Sequence, residues 1–194
     1  MPSGFSETQI YNAVLDRLAE ESVLSTTDEK AVARWLNRNY ALQRDVLLTR
    51  HTWNFALTRR SLAAETKKPD FEWMYSYVIP EDCLRVLPVT TDGRRNSPPI
   101  PFVVEGTKIL TNKGAPLNVR YIFRQKDPAT YSPVFVDLLA QVLAATFAYW
   151  VTGKASFAKQ LMDISTNAYN DATRIDSLEG LPEEPYDDEI IMVR

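Results

Sequence analysis

The 194-residue chain has one histidine, one cysteine and six glycines, and each scarcity removes a class of chemistry. With His51 as the sole histidine, His-based metal clusters and two-histidine catalysis are excluded. His51 lies beside Trp53 where a helix is expected to end, and reads as a capping or packing residue. The lone cysteine, Cys83, permits neither an intrachain disulfide nor a thiolate cluster, in keeping with a reducing compartment. It reads as a small buried apolar residue at a strand start. Gly93, Gly106, Gly114 and Gly153 stand alone, and none builds a dinucleotide-binding or phosphate-binding loop. The carboxylate pairs Glu81-Asp82 and Asp187-Asp188 are sequence neighbours, in a turn after Pro80 and in an acidic run. Neither has the desolvated setting that splits two carboxyl pKa values. The expectation is a non-enzyme with no catalytic residue, cofactor or metal.

Basic charge is also in short supply. A net charge of −3 leaves no global field to hold nucleic acid by counterion release. Charge is instead sorted along the chain. Lys30 to Arg60 holds seven basic residues against Asp45, and Asp176 onward holds seven acids against Arg194. The two runs read either as solvated surface or as complementary surfaces on neighbouring subunits or partners. A long hydrophobic run is missing too. Leu138 to Val151 reads as too short for a bilayer and is interrupted by Gln141 and Thr146. Met1 to Ser6, mostly polar, does not resemble a signal peptide. A soluble protein with no membrane partner is expected.

What is present suffices for a packed domain: 45% hydrophobic and 11% aromatic residues. Ser6 can cap a helix whose face is Ile10, Tyr11, Val14, Leu15 and Leu18. Thr27 can cap a second, running to about Arg50, with Val32, Trp35, Leu36, Leu42, Val46 and Leu47 as its apolar side and Arg34 and Arg38 sharing a face. From Phe55 to Arg124, short β-branched and aromatic runs alternate with turn residues, predicting strands at 55–62, 74–79, 84–89, 102–105, 108–111 and 118–123. Glu105-Gly106-Thr107 and Asn112-Lys113-Gly114 read as tight turns with glycine at positive φ. Asp92 to Pro99 reads as a mobile loop tip. Trp73, Tyr75 and Tyr77 alternate along one strand and could stack bases, but no basic residue lies between Lys68 and Arg85, so a buried sheet face is preferred. Ser132-Pro133 opens a third helix, apolar nearly all round and broken at Thr152-Gly153. A fourth follows with Phe157, Leu161, Ile164, Ala168, Ala172 and Ile175 on one face.

The fold class expected is α+β: a bundle of about four helices (1–54 with 131–176), an antiparallel β insertion (55–130) between helices two and three, and an acidic extended tail (177–194).

Several of these residues, in order, resemble a known pattern. Arg44-Asp45-Val46-Leu47-Leu48 followed by Trp53-Asn54-Phe55-Ala56 is similar to the "R-D-x-L-L…W-x-F-A" stretch of tail tubular protein A and related head-to-tail adaptors of short-tailed phages, the gatekeeper-of-the-neck family. Tyr75-Ser76-Tyr77, Pro80 to Val86, Tyr121-Ile122, Asp127-Pro128 and the apolar third helix continue the likeness, from about Thr27 to Leu178. The resemblance implies a virion protein of the neck, assembled in the host cytoplasm. It would form a homo-oligomeric ring, usually of twelve copies, between the portal protein and the tail nozzle. Genomic DNA would pass through its lumen without specific binding. Candidate partner contacts are Arg34 and Arg38, the loop residues Asp92, Arg94 and Arg95, and Tyr186, Ile190, Ile191, Met192 and Val193 in the tail, whose apolar stretch could order on a partner. A connector of long-tailed phages and a soluble nucleic-acid-binding module are the alternatives.

Overall fold

Ser6 begins the first helix as its spacing predicts. In the computed structural model, which describes residues 4–179, its hydroxyl accepts from the Gln9 backbone while the Gln9 side chain accepts from the Ser6 N–H, a complete capping box. Helix α1 (Glu7–Leu18) buries the five residues of its expected face. Helix α2 (Ala31–Arg50) starts later than Thr27 suggests. Ser25 Oγ accepts from the Thr27 N–H and Asp28 accepts from Lys30 N, so local side-chain bonds hold this stretch in turns instead of a helical first turn. Its buried face is Ala33, Leu36, Tyr40, Arg44, Leu47 and Leu48, at steps of three and four, whereas Leu42 falls on the opposite side and is exposed.

Six strands follow: β1 (Leu57–Leu62), β2 (Tyr75–Val78), β3 (Cys83–Val86), β4 (Phe102–Glu105), β5 (Lys108–Thr111) and β6 (Leu117–Phe123). They form two antiparallel three-stranded sheets, ordered β1-β6-β3 and β2-β5-β4. Gly106, at φ 57°, turns the β4–β5 hairpin as expected. Gly114 differs: β5 and β6 belong to different sheets, so 112–114 is a crossover rather than a hairpin and needs no positive φ. Helices α3 (Pro133–Thr152) and α4 (Ala155–Leu178) complete the chain, with Gly153 in the left-handed conformation between them. Ser132 holds the N-cap position of α3, but its buried hydroxyl makes no capping bond. Helix α4 runs through Leu178, so the acidic tail cannot start at 177, and the rest of that segment lies outside the described residues.

The chain is therefore mixed α+β, with four helices and two small antiparallel sheets. The helices share one apolar core with α3 at its centre, which also takes in Ile122 and, at its edge, Leu57 and Leu84 of the first sheet. Trp53, Phe55, Tyr131 and Phe135 meet there with ring centroids 5.0–6.1 Å apart, and Trp53 Nε1 donates to the Leu47 carbonyl. A second core lies between the sheets, formed by Leu117, Val119 and Tyr121 of β6 against Tyr77 and Ile109. The first sheet is thus the middle layer. As expected, α3 begins at Pro133; over its full twenty residues it is long and apolar enough to cross a membrane by length and composition, which the apolar stretch Leu138 to Val151 taken alone did not suggest. Eleven of its side chains are buried inside the domain.

Candidate anion-binding cleft

Strand register decides where the arginines go. On one face of β1 and β6, Leu57 stands opposite Ile122, Arg59 opposite Arg120 and Ser61 opposite Asn118. The first pair sits on the helical core. Arg59 and Arg120 come next along the strands and leave that contact, facing each other across the ladder. Like charges placed directly opposite destabilise a sheet, so this pair is not there for stability.

The 90–100 loop folds over the same place. Its base closes through a Thr90–Pro99 bridge and the Ile100 N–H to Val89 carbonyl bond. Asn118 Nδ2 donates to the Asp92 carbonyl, and the Thr90 hydroxyl donates to that of Arg94. Gly93 permits the close approach. It has φ 86°, and a Cβ there would lie 2.6 Å from the Asn118 Cβ. Asp92, expected at a mobile tip, is held by Asn118, the Arg94 N–H and Ser97, and its carboxyl lies below the ordinary range chiefly because Ser97 hydrogen-bonds it.

Together β1, β6 and this loop line an open cleft of about 720 Å³, bordered by Arg59, Arg60, Arg94, Arg95 and Arg120, with Asn54 at its rim. Arg94 pairs with Asp92 at 3.6 Å. Among the described residues, Arg59, Arg60, Arg95 and Arg120 make no ion pair. Burial, then the neighbouring Arg95 and Arg59, holds the Arg120 pKa below its usual value. Arg60 borders the cleft only at its edge, since it alternates to the Val119 face; the guanidinium groups of Arg59, Arg94, Arg95 and Arg120 against one engaged carboxylate make a site for a phosphate or carboxylate partner, which planar guanidinium grips in pairs of hydrogen bonds.

Of the residues expected from sequence, Asp92, Arg94 and Arg95 lie in this cleft. Arg34 and Arg38 are exposed on α2, with Arg34 Nη1 donating to the Glu29 carbonyl. Tyr186, Ile190, Ile191, Met192 and Val193 lie outside the described residues. Arg59, Arg60 and Arg120 were missed. Arg59 and Arg60 stood on the strand expected at 55–62, in a basic run read as solvated or complementary surface, and only the register of β1 on β6 places Arg120 opposite Arg59.

Elsewhere the polar groups are structural. Asp45 accepts from Arg44 on α2 and, at 2.8 Å, from Arg124 beyond β6, pinning the first sheet to the helices. His51 does pack its ring edge-on against Trp53, as expected, and its Nε2 also lies 3.1 Å from the buried Asp176. Asp176, the last residue of the expected bundle and the first of the acidic run, accepts from the Asn54 N–H, while its own carbonyl accepts from Asn54 Nδ2 at 2.7 Å. Burial raises its carboxyl pKa. Cys83 opens β3 as expected but is half-buried, with its thiol pushed up to about 11 by burial. Tyr75 and Tyr77 face the inter-sheet core, and Trp73 precedes the strand. Among the described residues no group of three or more His, Cys, Asp or Glu side chains could hold a metal. No family model matches the chain, and no curated protein matches it.

Proposed function

We propose that this chain is a structural subunit of a phage neck, a ring-forming head-to-tail adaptor that joins the portal to the tail nozzle. The observation that carries the reading is apolar surface left open on both outer layers. On the helical side, Trp35 lies tilted 4.3 Å from Phe147, which stacks on Trp150 at 5.0 Å, and the last ring is 60% exposed. Tyr149, Met162, Ile164 and Leu178 are exposed on α3 and α4 as well. Beyond the second sheet, Phe71, Met74, Val78 and Val104 are exposed. Two different apolar surfaces on one chain suit a heterologous contact, the kind that closes a ring when the rotation permits. A four-helix bundle with a β insertion would then place α3 and α4 against a neighbour, and the insertion against the next tail component.

Mass by light scattering or native mass spectrometry, for the protein alone and mixed with its portal ring, tests this. A fixed stoichiometry on the portal is expected, weakened by Trp150→Glu. A chain that ignores the portal sinks the reading. The arginine cleft favours a second reading, a nucleic-acid-binding module. Duplex DNA binding by the free protein that weakens steeply with salt supports that one instead.

A further inference from the structure

Helix α2 runs the length of the bundle, about 30 Å for its twenty residues, and has a different surface at each end. Beyond its last turn, Asn54 borders the arginine cleft. At its start, Lys30, Ala31 and Val32 line a groove of about 590 Å³ together with Phe147 and Trp150 from the last turns of α3. The ring contact between Trp53 and Phe135 joins the end of α2 to the start of α3, so the two helices run in opposite directions and agree on which end is which.

The groove has an aromatic wall and an acidic rim. Trp150 stacks on Phe147 at 5.0 Å with 19° between the rings, and stays 60% exposed. Glu20 and Glu21 stand at the rim. Lys30 pairs with Glu21 at 3.3 Å but leaves that side chain 91% exposed, and Glu20 makes no ion pair among the described residues. An open indole beside carboxylates suits a guanidinium group, which stacks flat on the ring while its edge donates to the acids. The opposite end of the molecule offers such groups. Arg94 and Arg95 are exposed on the 90–100 loop, and the Arg94 side chain is 85% exposed, with only a 3.6 Å pairing to Asp92. Asn118 and Thr90 bond the loop backbone, so its tip is presented with little ordering left to do on contact.

We propose that the Trp150 groove receives the Arg94–Arg95 loop of a second copy of this chain. The inference deepens the adaptor reading, on which it rests for the closing of a ring, by naming the contact between neighbours. The two surfaces are opposite in charge, and one is a loop tip where the other is a hollow. Cleft against cleft, or groove against groove, would bring like charges together. Helix α2 stands between the loop and the groove of one chain, so the contact joins two chains. A copy seated by its loop keeps its own groove open for the next, which is the heterologous arrangement. The apolar outer face of the second sheet takes no part and stays available to a further component.

The test is an exchange of charge in the full chain. Arg94→Glu with Arg95→Glu reverses the loop, and Glu20→Arg with Glu21→Arg reverses the rim. In sedimentation velocity at low salt, each variant alone is expected to self-associate about tenfold more weakly than the unmodified chain. An equimolar mixture of the two is expected to recover much of that loss, which also shows that both variants fold. Variants that associate like the unmodified chain, or a mixture no stronger than its parts, overturn the contact. A second readout reaches a weak complex. A chain carrying Cys83→Ala and Thr91→Cys, with a nitroxide on the new cysteine, is mixed at high concentration with isotope-labelled unmodified chain. The Trp150 indole N–H signal is expected to lose most of its intensity at low salt and to recover at about 0.5 M, where screening shortens to a few ångströms. An undiminished indole signal overturns the contact. Neither measurement involves a portal: loss of the contact with portal stoichiometry intact removes this inference alone, and a contact that holds while the portal is ignored removes the adaptor reading alone.

Discussion

Leu57 opposite Ile122 and Arg59 opposite Arg120 are successive pairs on one face of the same two strands. The first is roofed by the helical core and the second opens into the cleft. Backbone, register and strand identity are shared, so the contrast isolates what covers each pair. Where the helices cover the sheet, the side chains are apolar and hold the layers together. Where they stop, the sheet carries a charge arrangement that works against it.

Removing the covered pair is expected to have the largest effect. Ile122→Ala should lower stability by about 2–5 kcal/mol, because Ile122 is fully buried and its loss leaves a cavity in the helical core. A midpoint shift in urea unfolding reads this, and a loss under 1 kcal/mol would show that the helices do not depend on β6. Next comes the loop that forms the cleft wall. Gly93→Ala meets both a positive φ and the Asn118 side chain, and should cost about 1–3 kcal/mol. The same change should weaken anion binding, since the loop carrying Arg94 and Arg95 must lift. The open pair gives the opposite sign. Arg59→Thr is expected to raise stability by about 0.2–1 kcal/mol at low salt and by less as salt screens the repulsion. Thermal unfolding at two ionic strengths checks it, and a destabilised variant would break the contrast between the two pairs.

The smallest effect concerns Glu65, which accepts from Ser76 and pairs with Lys108 at 2.7 Å on the outer face of the second sheet. The Lys108 and Ser76 hydrogen bonds hold its pKa below the ordinary 4.5. Its stabilising contribution is therefore present above 4.5 and lost as pH falls through the folded value. Glu65→Gln should flatten the acid limb of the stability profile slightly, leaving neutral-pH behaviour nearly unchanged.

Period and punctuation made most of the fold legible. The capping residues around Ser6 and the alternating strands depend on neighbours in sequence, and both were found within a residue or two except that β3 ends at Val86 rather than Val89. Thr27 misled because Ser25 and Asp28 compete for the same backbone donors. Leu42 and Ile164 misled because hydrophobicity does not fix which side of a helix faces the core. The cleft was half legible: Arg94 and Arg95 stood out in a loop. Arg120 sits in an ordinary strand and acquires meaning only from its partner sixty-one positions earlier, Arg59. Asp176 looked like the first charge of a solvated acidic run, yet its partners are His51 and Asn54. Of the residues carrying the phage-adaptor resemblance, Arg44, Leu47, Leu48, Trp53, Ala56, Ser76, Tyr77, Tyr121 and Ile122 are buried. They therefore speak for a way of packing, while the cleft and the exposed rings are where a partner would be met.

Strand β6 alternates Leu117, Val119 and Tyr121 into the core between the sheets and sends Ile122 into the helical one. One short strand thus works as a splint through both layers of packing. Neither core can loosen without withdrawing support from the other, so the domain should melt as a single cooperative unit, with the β6 amides among the last to exchange. In the proposed neck ring, a push on the outer sheet would reach the helices along that strand.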